Sequence, residues 1–336
     1  MYGIAEWYIH KHAGEPIQLG TTFISDYATQ LGVNPQDTLQ AILEPANVGG
    51  LGMKQIRLVS YWNDIESTPG KYDFSGLDWQ FAMADKYGAQ VSLAIGLRQP
   101  RWPECHEPSW VKPETKDVWE PQLNNFITTV INRYKNNPAL QSYQLENEFF
   151  MKIFGKCSNF DRSRLVAEAA LVKQDDPNHT LIISRSDNWI GLPVRQPTPD
   201  EFGISIYKRV YDYHFTHRYV EYPLPPWYYA FLAGAGEIIT GKEMIIHELQ
   251  AEPWLPHGSI NSSNLAEQAK SLSPNMLKNR INYAKETGLN SIELWGAEYW
   301  YWQKVTQNNP GYWQVVQQAV IKADNQNQKL LANQLK

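Results

Sequence analysis

One rhythm constrains this chain more than any other feature. Between residues 17 and 322 a short β-branched run, a loop and an amphipathic stretch follow one another eight times. The strand candidates are 17–24, 55–61, 90–96, 141–147, 180–186, 202–207, 243–248 and 290–296, with helical patterns at 77–87, 119–135, 161–175, 224–239, 274–287 and 312–322. Strands alternating with helices argue for a parallel α/β sheet. Eight such units in about 300 residues fit one (β/α)8 TIM barrel.

Side-chain parity supports closure. In a barrel one side of each strand meets the helices and the other fills the interior. Ile56 and Leu58 alternate with Arg57 and Val59; Ile204 and Ile206 with Gly203, Ser205 and Tyr207; Ile292 and Leu294 with Ser291, Glu293 and Trp295. One parity is aliphatic and the other small, polar or reactive. An open doubly wound sheet buries aliphatics on both sides, and the chain has no GxGxxG turn for a dinucleotide. The expected organisation is a lead segment 1–15, a barrel 16–322 and an amide-rich tail 323–336, with both ends peripheral and the tail a frayed helix.

Composition closes off other classes. Of 336 residues 43% are hydrophobic and 19% charged, and the net charge is −5 without a Lys/Arg block. A nucleic-acid partner is therefore not expected. No apolar run reaches the roughly 18 residues of a spanning helix, and no export signal opens the chain. Cys105 and Cys157 form no CxxC pair, so a structural zinc is unsupported. Both fall on neighbouring loops of the barrel reading. A disulfide between them would favour an extracytoplasmic or cell-surface setting, and two free thiols a cytoplasmic one. Nothing in the sequence speaks to oligomeric state.

Catalytic side chains in a TIM barrel sit where strands end. The fourth strand ends Gln144-Leu145-Glu146-Asn147-Glu148, and Glu148 shares the parity of Gln144 and Glu146. The seventh ends His247-Glu248. Strands four and seven lie across the ring from one another, so both carboxyls reach a ligand in the mouth. Two carboxyls flanking one bond are what glycoside hydrolysis requires, one protonated for the leaving oxygen and one ionised for the anomeric carbon. Their mutual repulsion separates their pKa values. For either acid alone, a buried salt bridge is the competing explanation.

These residues carry a resemblance. YQLENEFF resembles the strand-four signature of clan A glycoside hydrolases, which implies that Asn147 contacts the sugar and Glu148 is the acid/base. IIHELQAEPW then implies Glu248 as nucleophile of a retaining β-glycosidase. YWNDIESTPGKYDFSGLDW is similar to family 35 and family 42 β-galactosidases, while the architecture is similar to family 5 cellulases and mannanases. By the same resemblance Tyr207 positions the nucleophile and Trp295 floors the sugar site. Arg57 is placed like the family 5 strand-two arginine, either on the nucleophile's charge or paired with Glu146. The sequence departs from family 5 at Ser205, where a histidine stands two before the tyrosine, and lacks a histidine at the end of strand three.

The 13 Trp, 19 Tyr and 11 Phe can fill a core or stack on sugars. Trp102 and Trp110, in the long loop 97–118, and Trp300, in the strand-eight loop, are candidate platforms. His214 and His217 stand three apart without a third ligand, so no metal is expected. No cofactor is called for, and the expected partner is an oligo- or polysaccharide. The competing functions are a noncatalytic carbohydrate-binding barrel and a metal-dependent barrel hydrolase.

Overall fold

The computed structural model describes residues 1–112, 114–152, 154–157, 159–185, 197–256 and 259–334. Ten strands are defined: β1 (Gln18–Thr22), β2 (Gln55–Val59), β3 (Gln90–Ile95), β4 (Leu140–Leu145), β5 (Thr180–Arg185), β6 (Glu201–Ile206), β7 (Arg209–Tyr211), β8 (Tyr219–Glu221), β9 (Glu243–Gln250) and β10 (Ser291–Trp295). Eight close into an all-parallel barrel in the order β1-β10-β9-β6-β5-β4-β3-β2. The short β7 and β8 form an antiparallel hairpin in the loop after β6. The chain is thus a single (β/α)8 barrel, and each expected strand is found within one or two residues of its bounds. Residue 186, the last of the expected fifth strand, lies outside the described residues.

The core sits between barrel and helices. Ile56, Leu58, Val91, Leu93, Ile204, Ile292 and Leu294 are buried on the outer faces of their strands. They meet Leu123, Phe126 and Ile127 of helix Lys116–Tyr134, and Leu277 and Ile281 of helix Pro274–Glu286, in one continuous cluster. That last helix begins where Ser273 accepts from the Met276 N–H and Pro274 fills the first turn, so its open N–H groups have a partner and its first φ is preset.

Both terminal segments are helical and make contacts with the body of the barrel. Helix Tyr2–His12 buries Ala5, Tyr8 and His12 and packs on helix Pro226–Thr240, where His12 Nε2 lies 3.0 Å from Glu237. The expected frayed tail continues helix Gly311–Gln334. Within it Asn327 donates to the Ile17 carbonyl at 2.8 Å and accepts from the Ile17 N–H at 2.9 Å, clipping the tail to the entrance of β1. An amide side chain can serve both groups at once, and this is why an amide-rich segment docks.

Candidate active site

Everything reactive gathers at the C-terminal ends of the strands. The local device that makes this work is a bulge in β9. Ile246 pairs with Ile204 of β6, but the next β6 residue, Ser205, pairs with Glu248, so His247 is inserted. The β10 side shows the same extra residue between Ile246 and Leu249. Strict alternation sends His247 and Glu248 to opposite faces; a bulge re-aims one of them. Both therefore engage the interior, and Gly203 of β6 leaves room for the ring, since a Cβ there would lie 2.8 Å from His247 Cδ2.

Glu248 is buried and doubly held. Arg57 Nη2 donates to its Oε2 at 2.8 Å, and the Tyr207 hydroxyl donates to its Oε1. Arg57, on β2, also donates to Thr22 Oγ1 at 2.8 Å, to Gln144 Oε1 at 3.2 Å and to His247 Nδ1 at 2.8 Å. The open alternative for Arg57 is thereby resolved. It faces Glu248, while Glu146 pairs with Arg164 at 2.8 Å, which in turn reaches Glu168 at 2.6 Å. Burial, then the Glu248 charge, pushes the Tyr207 hydroxyl well above its ordinary range, so the phenol keeps the proton it donates.

Glu148 sits in the opposite electrostatic condition. Ser205 donates to its Oε1, and its own N–H donates to Ser184 Oγ at 2.6 Å. No cation contacts it within ion-pair distance among the described residues. Burial first, then the nearby Glu248 and Glu104, push its pKa up to about 8. One carboxyl thus faces a guanidinium and the other holds its proton near neutral pH, the division of labour an acid and a nucleophile need. β6 ties them together: Ser205 and Tyr207, two apart on one face, donate to Glu148 and Glu248 respectively.

The parity that put Glu148 in the mouth does not hold for Glu146, which was read as sharing it. Glu146 and Glu148 have φ of 52° and 47°, left-handed values that break alternation after Leu145. Glu146 turns away from the mouth and accepts from the N–H groups of Leu97 at 2.6 Å and Arg98 at 3.1 Å. Gly96, at φ 102°, is required there, because a Cβ would sit 2.6 Å from Glu146 Oε1. Asn147 accepts from Gln144 at 3.0 Å and donates to Glu104 at 3.3 Å. Glu104 is a further buried carboxyl, raised to about 7 by burial and opposed by Arg98 3.8 Å away. The disulfide Cys105–Cys157 pins its loop to the one after β4.

The candidate platforms divide. Trp295 is 7% exposed, with the Arg101 guanidinium 4.5 Å from its ring centre and its N–H donating to Glu252 at 3.3 Å. Trp102 stands on the rim, 55% exposed. Rings lead from it into the site: Trp102 to Phe154 at 5.9 Å, Phe154 to Trp254 at 5.7 Å, and Trp254 to Tyr207 at 5.5 Å. Trp300 is a correction. It is fully buried and donates to the Ala251 carbonyl at 2.6 Å, because helix Ala297–Val305 turns its ring into the core. Trp110 braces its loop by donating to the Glu66 carbonyl at 3.0 Å. His214 and His217 are exposed between β7 and β8, and no group of three metal-donor side chains occurs among the described residues.

Sequence reading passed over Glu104, Arg101 and Trp254. It placed Ser205 on the interior parity and noted it as a departure without giving it a partner, and named His247 as the residue before Glu248. The alternation Gly203-x-Ser205-x-Tyr207 was the available signal for Ser205, a small residue followed by two hydroxyls on one face. No helix among the described residues is long and apolar enough to cross a membrane.

No protein-family model matches the chain, and no curated protein matches it in sequence. Among solved structures it is similar to a GH5_18 protein from Bifidobacterium longum (TM-score 0.61, 12% identity, 91% of this chain and 78% of that one). It is also similar to the exo-β-1,4-mannosidase Op5Man5 from an Opitutaceae bacterium (0.59, 15%, 93% and 60%). A β-galactosidase from Halorubrum lacusprofundi is a further match (0.58, 12%, 92% and 58%). The chain spans about three fifths of the length of these last two. At such identities the likeness is one of fold, the barrel shared by clan A glycoside hydrolases.

Proposed function

We propose that the chain is a retaining β-glycosidase in which Glu148 is the acid/base and Glu248 the nucleophile. The observation that carries this is the asymmetric pair of buried carboxyls joined through β6, with Arg57 and Tyr207 on Glu248 and, among the described residues, no cation within ion-pair distance of Glu148. In the first step Glu148 gives its proton to the glycosidic oxygen as a Glu248 oxygen bonds to the anomeric carbon and the aglycone leaves. In the second, Glu148, now ionised, takes a proton from water. The water oxygen bonds to the anomeric carbon and Glu248 is released. Asn147 donates toward the sugar 2-hydroxyl, and Trp295 offers its apolar ring to the pyranose. Trp102 lies farther out along the aromatic wall. The similar structures named as a β-galactosidase and an exo-β-1,4-mannosidase support a β-galactoside or β-mannoside substrate.

The test is a panel of aryl β-D-galactosides and β-D-mannosides, followed by reaction with the matching 2-deoxy-2-fluoro dinitrophenyl glycoside. A mass increment on the peptide carrying Glu248, with loss of turnover in Glu248→Ala and Glu148→Gln, is expected. Labelling elsewhere, or products of inverted anomeric configuration, refutes the assignment. Sugar binding without turnover by the unaltered protein marks a noncatalytic barrel instead.

A further inference from the structure

The bulge in β9 leaves His247 fully buried between the two carboxyls with no role in the chemistry above. Its hydrogen bonds run in one direction only. A guanidinium has donors and no acceptor. Arg57 Nη1, 2.8 Å from His247 Nδ1, must therefore donate to it. Nδ1 then carries no hydrogen, so the ring's hydrogen is on Nε2, which lies 3.1 Å from Ser205 Oγ and donates to it. Ser205 in turn spends its own hydrogen on Glu148 Oε1. Burial, then the Arg57 charge, holds the imidazole well below its ordinary pKa, in keeping with the neutral ring this order needs.

We propose that Arg57, His247 and Ser205 form a relay of fixed polarity that positions the acid/base: it delivers a permanent donor to Glu148 Oε1 and so assigns the catalytic proton to Oε2. The relay starts at the same guanidinium that holds Glu248, so one cation organises both carboxyls. Its effect is on the transition state. A hydroxyl bonds more strongly to a carboxylate than to a carboxylic acid. The Ser205 bond therefore tightens as Glu148 loses its proton to the leaving group, and loosens as the proton returns. Ser205 and His247 act through Glu148 and need not touch the sugar. Gly203 belongs to the same device, because any side chain there would displace the ring.

The inference rests on Glu148 being the acid/base, and the experiment separates the two claims. Ser205→Ala, Ser205→Thr and His247→Asn are compared with Glu148→Gln on phenyl and 2,4-dinitrophenyl β-glycosides of the sugar that the panel selects. The poor phenolate leaving group needs the proton and dinitrophenolate does not. For Ser205→Ala, kcat/KM should fall roughly 10- to 100-fold on the phenyl glycoside and stay within about 3-fold on the dinitrophenyl one. Ser205→Thr should restore most of the loss, and His247→Asn should resemble Ser205→Ala. The alkaline limb of the Ser205→Ala profile should move up, since a carboxylate donor is lost while Glu248, Glu104 and Arg98, which also face Glu148, are unchanged. Equal losses on both glycosides, or none, overturn the relay. Glu148→Gln activity equal to that of the unaltered protein overturns the reading beneath it. Nitrogen-15 NMR of the unaltered protein is independent of any variant's folding. A His247 ring with its hydrogen on Nε2 from pH 5 to pH 8 is expected; a hydrogen on Nδ1 overturns the relay.

Discussion

Removing the disulfide should destabilise the barrel by about 4 kcal/mol. Cys105 and Cys157 are 52 residues apart and join the loops after β3 and β4. In the chain-entropy treatment a crosslink closing 52 residues withholds about 14 cal/mol/K from the unfolded chain, about 4 kcal/mol at room temperature. The native state loses little by comparison, chiefly the contact of Arg98 Nη1 with Cys157 Sγ at 3.4 Å. Urea unfolding of the protein and of the Cys105→Ser/Cys157→Ser variant measures the difference. The midpoint should fall by about 1 M or more, and the slope m should rise, because an uncrosslinked chain exposes more surface when unfolded. Glu104 and Asn147 hang from the tethered loops, so kcat/KM should drop as well. A stability loss below about 1 kcal/mol with unchanged m would refute the loop-entropy argument.

Three further outcomes are expected. Glu148, raised to about 8, and Glu104, Glu293 and Glu298, each raised to about 7, bind protons more tightly folded than unfolded, where carboxyls titrate near 4.5. Their contribution is complete below the unfolded value and is lost as pH rises through the folded ones. His106 and His247, both lowered, act in the opposite sense below about 6.5. Tm should therefore fall from pH 6.5 to 8, and a Tm rising across that window would contradict the burial argument. Arg164→Leu leaves Glu146 and Glu168 buried without their cation and should lose about 3–5 kcal/mol in denaturant unfolding, with part recovered by adding Glu146→Gln. Trp295→Ala should act mainly on kcat/KM and Trp300→Phe mainly on Tm; the reverse pattern would exchange their assignments.

The barrel was legible because periodicity is a property of many residues at once. Ile56/Leu58 and Ile292/Leu294 repeat the same alternation, and no single exception disturbs it. The placement of Glu148 and Glu248 in one buried cluster was legible because both stand at strand ends, where this fold gathers its functional side chains. What escaped notice depended on departures from regularity. Glu146 was sent inward by an alternation that two left-handed residues interrupt. His247 was overlooked because alternation gives the interior to one of two consecutive residues, and only a register shift gives it to both. Trp300 was taken for a platform because loop composition cannot say which way a short helix rolls its rings. The amide-rich tail read as frayed because its docking rests on one side chain, Asn327, meeting one backbone unit.

The inserted residue in β9 also bears on how such proteins are compared and redesigned. Position counting along this strand loses step by one at His247, so an alignment that preserves every-other-residue logic would match Glu248 to the wrong neighbour. Deleting a single residue from Ile246–Leu249 should leave a hydrogen-bonded cylinder, yet only one of imidazole and carboxylate could then face the lumen. A scaffold that copies the eightfold skeleton but irons out this kink inherits the shape without the joint placement of His247 and Glu248.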